Sequence, residues 1–215
     1  MYEPPITTVT VAADDYDLTD LAAAKAELCT PDTTHDAFLG RAITQTSRII
    51  SNACNRVFVA ETVSDLFYRQ RRDGVFPTWT AAEASRLQLS RWPVLSVVSV
   101  IETDLSGAQT TLVADTDFTL DAARGQLVRL GLTQLPCRWS AAIVTAEYQA
   151  GFEEIPDDLV EACLLLVTAR YRGRGRDLNI RQESIAGVIE TQYLPPLGEV
   201  SLVEEILCAY RVPPV

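Results

Sequence analysis

One histidine, five cysteines and several tight clusters of carboxylates are the side chains in this 215-residue chain that could do chemistry. His35 stands beside Asp36, and any Ser-His-Asp or Cys-His relay would have to use it. No Gly-x-Ser-x-Gly or comparable nucleophile pattern accompanies it. We therefore read His35 as a surface or helix-cap residue. Cys29, Cys54, Cys137, Cys163 and Cys208 are odd in number and form no Cys-x-x-Cys pair. Cys54, Cys163 and Cys208 fall on apolar faces of expected helices, where a free cysteine acts as a small hydrophobe. Reduced, buried thiols are the expectation, not metal ligands or nucleophiles. Asp14-Asp15-Tyr16-Asp17 and Glu153-Glu154 fall in expected loops and match no EF-hand spacing. A glycosidase-type acid pair would need the fold to bring two such groups together, whereas solvated faces and helix ends use acids singly. No catalytic residue, cofactor site or metal site is expected.

The one basic concentration is Arg170-Tyr171-Arg172-Gly173-Arg174-Gly175-Arg176. Its Gly-Arg repeats resemble a phosphate-cradling loop only superficially, because they follow a helix where such loops precede one. Two readings stay open. The arginines favour the negative end of that helix, or Arg170, Arg172, Arg174 and Arg176 form a contact cluster for a protein or nucleic acid. A smaller cluster, Arg69, Arg71 and Arg72, falls near an expected turn.

The elements that must position these residues change period along the chain. A first helix is expected over Thr19–Leu28, with a cap from Leu18-Thr19-Asp20. A second covers Asp36 to Asn55, its apolar stripe running from Phe38 to Ala53 and its end set by Asn55 in left-handed geometry. From Val57 to Ala150 the pattern is of short strands broken by turns. A third helix starts near Pro156, with Asp157 and Asp158 at its positive end. It carries so little polar surface that it should be enclosed on several sides by the others. Residues 1–17 look extended or mobile, QESIAGVIETQYLPP reads as another extended stretch, and Ser201 with Glu204 matches a capping box for a short last helix to about Tyr210. The expected fold class is α+β: a small helical bundle core (18–56 plus 156–176), a β-rich insertion (57–150) and a C-terminal extension (177–215).

Composition is that of an ordinary globular chain, 47% hydrophobic and 22% charged. No apolar run reaches the ~20 residues that cross a bilayer, and the N-terminus lacks a signal-peptide pattern, so no membrane partner is expected. The net charge is −11, with eight acids against one base, Lys25, in residues 1–36. Such a chain is ill suited to hold phosphate backbones tightly.

Four stretches, in order, carry a resemblance. LTDLAAAKAEL, FLGRAITQTSRIISNACNRVF, LQLSRWPVLSVVSV and the run Tyr148-Gln149-Ala150-Gly151-Phe152 with Pro156, Asp158-Leu159 and Tyr171 resemble the head–tail connector (adaptor) proteins of long-tailed bacteriophages and gene transfer agents. The match covers about residues 18–175. It departs from the family's pattern at Asn55 for Gly, at Trp92 for Pro and in the segment after Asp177. The resemblance implies a non-enzymatic subunit of a ring, commonly of twelve copies, in the virion neck between capsid and tail. Its partners would be further copies of itself, the portal protein and a stopper or head-completion protein. DNA would pass through its channel without specific binding, which suits the acidic balance. Assembly would follow synthesis in the bacterial host cytoplasm. The resemblance does not reach the C-terminal segment; for it we expect, as a separate reading, that Val203, Ile206, Leu207 and Tyr210 on one helix dock onto the portal. Alternative readings are another neck component, such as a stopper or tail-completion protein, then a nucleic-acid-binding module or an enzyme.

Overall fold

A computed structural model describes residues 4–69, 85–174, 182–185, 189–192 and 197–212. The fold is α+β, and the chain divides into two compact units. The sheet unit comprises Met1–Asp14 and Val59–Glu153, the helical unit Asp15–Phe58 and Glu154–Val215. Each unit is therefore built from two separate stretches of sequence. The residues ahead of the first helix join the sheet unit, because Ile6–Val11 forms a strand.

In the sheet unit the strands are β1 (Ile6–Val11), β2 (Glu61–Tyr68), β3 (Arg86–Gln88), β4 (Val94–Thr103), β5 (Gln109–Thr111), β6 (Phe118–Asp121), β7 (Gln126–Arg129) and β8 (Ile143–Ala150). Five form one antiparallel sheet in the order β1-β2-β8-β4-β5, and three form a second in the order β3-β7-β6. The long central pairings explain themselves by period two. In β2, Glu61, Val63, Asp65 and Phe67 are buried and their neighbours are not. In β8, Val144, Ala146, Tyr148 and Ala150 are buried. Register pairs Val63 with Tyr148 and Asp65 with Ala146, so the two inward rows face one core. That core also takes in Leu89, Val100, Leu127 and Trp139, the last donating its indole N–H to the Ser85 carbonyl at 2.7 Å. In β4 the register with β8 shifts twice, leaving Leu95 and Val98 unpaired, and both side chains are exposed.

The helical unit contains α1 (Leu21–Glu27), α2 (Asp36–Cys54), α3 (Asp157–Arg172) and α4 (Leu197–Cys208), with a hairpin of β9 (Gln182–Ile185) and β10 (Ile189–Gln192). Asp20 caps α1 by accepting the Ala23 N–H at 2.7 Å. Asn55 ends α2 in the left-handed region at φ 51°. Pro156 immediately precedes α3, with Asp157 and Asp158 in its first turn. Helix α3 packs against α1, α2 and α4, and Leu159, Ala162, Cys163 and Val167 are fully enclosed. Leu164, Leu165 and Leu166 stay partly open, so its enclosure is incomplete.

The last helix departs from expectation. It begins at Leu197, so Ser201 and Glu204 lie inside it and the capping box is not used. The start signal is instead Pro195-Pro196 directly ahead of Leu197, a residue type favoured at helix starts because its missing N–H would go unbonded there anyway.

Candidate assembly surfaces

Each unit carries one arrangement of polar and apolar groups that invites a functional reading. In the sheet unit it is a buried carboxylate. Strand β2 points Asp65 inward, where it is fully buried. Four hydrogen bonds converge on it. Tyr148 Oη on β8 donates to Oδ2 at 2.7 Å, and the Ser90 N–H donates to the same oxygen at 2.7 Å. Oδ1 accepts from Ser90 Oγ at 2.8 Å and from Thr7 Oγ1 on β1 at 2.7 Å. Tyr148 Oη in turn accepts the Arg91 N–H at 3.1 Å. Burial, and then the adjacent Asp65 charge, push the Tyr148 hydroxyl well above the ordinary phenol range. Beside this cluster Arg91 pairs with the buried Glu61 at 3.0 Å.

A carboxylate with all its acceptor capacity engaged is a structural clamp, not a general base waiting for substrate. It joins β1, β2, β8 and the Ser90–Arg91 loop at one point. The strand pair around Arg91-Trp92-Pro93-Val94 and the Tyr148–Gly151 strand end therefore meet here. Gly151 N–H donates to the Pro93 carbonyl at 2.9 Å, adding a second tie between the same stretches. Sequence reasoning singled out both stretches but missed Asp65 and Glu61. The signal was present: two acids at inward positions of an otherwise apolar alternation, ETVSDLFY.

In the helical unit, α2 and α3 leave a groove of about 660 Å³ between them. Phe38, Ala42, Leu166 and Ala169 give it an apolar floor, and Arg41 and Arg170 flank it. Arg170 is held by Gln45 Oε1 at 2.8 Å. At one end Arg174 lies over the Tyr171 ring at 4.9 Å and the Phe38 ring at 5.3 Å, with its guanidinium 2.9 Å from His35 Nδ1. His35 contacts the Tyr171 ring edge-on. The only histidine is thus packed between an arginine and an aromatic ring. It sits at the cap position of α2 without making a side-chain cap bond. Cation–π stacking of this kind holds the end of α3 to the start of α2.

The structure places Arg170 at the groove and Arg174 on the aromatic pair, while Arg172 is exposed. Arg176 lies outside the described residues, as do Arg71 and Arg72. Arg69 donates to the Ser140 carbonyl at 2.8 Å. The C-terminal residues point mostly inward. Val203 and Leu207 are buried against the unit's own helices, and Tyr210 Oη donates to the Asp158 carboxylate at 2.8 Å. Burial and the Asp158 carboxylate raise the Tyr210 hydroxyl to about 12. Ile206 is partly exposed, and Leu202 and Glu205 are the outward neighbours.

The cysteines are all free. Cys163 Sγ lies 3.7 Å from Ser47 Oγ, and burial raises its thiol to about 11. Cys54 is buried and shifted upward for the same reason. Thiolates are the reactive form, so maleimide at pH 7 should label Cys29 and Cys208 readily and spare Cys54 and Cys163 until the chain unfolds. Fast labelling of Cys163 in the native protein would contradict this packing. Among the described residues no group of His, Cys, Asp and Glu could hold a metal ion.

No protein-family model matches the chain, and no curated protein sequence matches it. Solved structures do share its fold. A chain from "Virion of native gene transfer agent (GTA) particle" superposes with a TM-score of 0.57 at 20% identity, over 98% of this chain and 97% of that one. A chain from "Neck of empty GTA particle computed with C6 symmetry" gives 0.56 at 20% identity over the same shares. One from "Neck of native GTA particle computed with C12 symmetry" gives 0.53 at 21% identity, again over 98% and 97%.

Proposed function

We propose that this chain is a structural subunit of the neck of a gene transfer agent or tailed phage, and within it the head–tail connector. The observation that carries the reading is a fold shared almost end to end with chains of such particles, two of them from necks computed with C6 and C12 symmetry. Four sequence stretches that resemble the connector family support the finer assignment. Two of them, Arg91–Val94 and Tyr148–Gly151, meet at the Asp65 clamp, so the resemblance falls on residues that hold the sheet unit together.

In this reading identical copies form a ring below the portal. Each copy presents one face to a different face of its neighbour, since a ring of more than two subunits needs heterologous contacts. The acidic surface lines or borders the DNA path, where a low density of fixed cations lets phosphates slide. The C-terminal segment serves portal docking. With Val203 and Leu207 buried within the unit, the outward Leu202 and Glu205 and the partly exposed Ile206 and Tyr210 form its available surface.

The test adds purified protein to DNA-filled heads that carry the portal and lack tails, and images the vertex by electron microscopy. A new ring of density directly beneath the portal is expected, with its symmetry readable. Folded protein that adds no density there, but binds to vertices already bearing a connector ring, would reassign the chain as a stopper or completion protein.

A further inference from the structure

The β4–β5 turn presents Leu105 at 81% exposure. A leucine so open on a loop is unremarkable by itself. What distinguishes this one is how firmly it is held and what flanks it. Asp104 Oδ1 accepts from Ser106 Oγ at 2.6 Å, from the Ser106 N–H at 2.7 Å and from the Ala108 N–H at 3.0 Å. The Asp104 N–H reaches the Ala108 carbonyl at 3.0 Å, and Gly107 takes φ 88° to close the turn. Hydrogen bonding, led by Ser106, holds the Asp104 carboxyl below the usual carboxylate range, so it is ionised. The result is a rigid acidic turn with an apolar tip.

The α2–α3 groove is its complement. Its floor is Phe38, Ala42, Leu166 and Ala169, and among the described residues its charged lining is Arg41 and Arg170, with no acid. At about 660 Å³ it has room for a leucine side chain and the turn that carries it. We infer that the Asp104–Leu105 turn of one copy seats in the α2–α3 groove of the next, Leu105 on the apolar floor and Asp104 facing Arg170 or Arg41. Three arguments select a second copy of this chain as the occupant. Each copy carries −11, so copies repel unless their contact joins opposite charges. Of the other exposed leucines of the sheet unit, Leu132 and Leu135 sit in the uncharged run Gly131-Leu132-Thr133-Gln134-Leu135-Pro136 and Leu95 lies among Val and Ser, while Val113, which has Asp115 and Asp117 nearby, is a smaller side chain and less exposed, at 59%. A knob and a hole at different places on one chain also generate a heterologous contact, the type that builds rings. Because the turn is ordered before it binds, little conformational entropy is lost on docking.

This inference rests on the ring reading, and its test separates the two. Benzoylphenylalanine is placed at position 105 of the full chain and photolysed, both in concentrated protein and in reconstituted necks. The expected product is a covalent dimer whose joined peptides include residues 38–45 or 166–173. In parallel, sedimentation equilibrium follows self-association of Leu105→Glu, Arg170→Glu, Asp104→Arg and the Asp104→Arg/Arg170→Glu pair. Leu105→Glu should weaken association by about tenfold or more, each single charge reversal should weaken it, and the pair should recover most of the loss. All these positions are at least partly exposed, so a circular dichroism spectrum like that of the parent is expected throughout. Rings that form normally with Leu105→Glu, or cross-links that land elsewhere, overturn the inference and leave the ring reading standing. Absence of both self-association and rings on portal-bearing heads overturns both.

Discussion

Replacing Asp65 with alanine should lower the unfolding free energy of the sheet unit by about 4 kcal/mol, judged from hydrogen bonds to a buried charge at about 1.5–3 kcal/mol each and their non-additivity. The carboxylate accepts four bonds from Thr7, Ser90 and Tyr148. Removing it takes the acceptor from the Ser90 N–H and from the buried Tyr148 hydroxyl, which keeps only the Arg91 N–H and Ser90 Oγ as partners. Tyr148→Phe should cost less, about 2 kcal/mol, because Asp65 retains its other three donors. The readout is denaturant unfolding followed by tryptophan fluorescence. A loss under 1 kcal/mol for Asp65→Ala would show that the cluster does not bear on stability. Tyr148 also gives the effect a pH signature. Its folded-state value is raised above the unfolded phenol value. The neutral, bonded phenol therefore stabilises the fold fully below about pH 10, the unfolded value, and that stabilisation is lost as pH climbs above it. The Tyr148→Phe protein should lack this alkaline component.

Gly151→Ala should cost about 3 kcal/mol or more. Gly151 adopts φ 124°, which side-chain-bearing residues rarely reach. A Cβ there would stand 2.6 Å from the Val59 carbonyl oxygen and 2.7 Å from Ala60 Cα. Both are backbone atoms, so no rotamer change relieves the clash. Gly107→Ala is the matched control: its φ is also positive, at 88°, but the space around it is open. It should cost only the backbone strain, about 1 kcal/mol. Equal unfolding midpoints for the two variants would refute the close-approach argument.

Much of the fold was legible because period is legible. The stripe of α2, the Asn55 stop, the Pro156 start of α3 and short strands between Val57 and Ala150 follow from local chemistry, and they appear among the described residues. What was not legible depended on distant partners. Nothing local in Ile6–Val11 tells that it pairs with Glu61–Tyr68, more than fifty residues on. The Ser201–Glu204 pattern is a valid capping box by spacing, yet the helix starts upstream, after Pro195-Pro196. The face of Val203 and Leu207 reads equally as a docking surface or as core. Burial decides it, and burial depends on α2 and α3. Of the candidate surfaces, the arginines were visible, but the groove they flank was not, since its walls come from helices separated in sequence by strands β2 to β8.

The alternation of the two units along the chain bears on how the protein is made. Strand β1 leaves the ribosome with no partner until β2 follows. Helix α2 finishes at Cys54 and waits for α3, which starts at Asp157. At about 5–20 residues per second, the roughly 100 intervening residues take about 5–20 s to synthesise. Throughout that interval the apolar stripe of α2 is uncovered, and the nascent chain is most vulnerable to chaperone capture or aggregation. The two units close in order: the sheet unit opens first, at β1, and is fully encoded by Glu153, whereas the helical unit opens at Asp15 and closes only after it, so the sheet unit is complete while the helical one still waits for its last two helices.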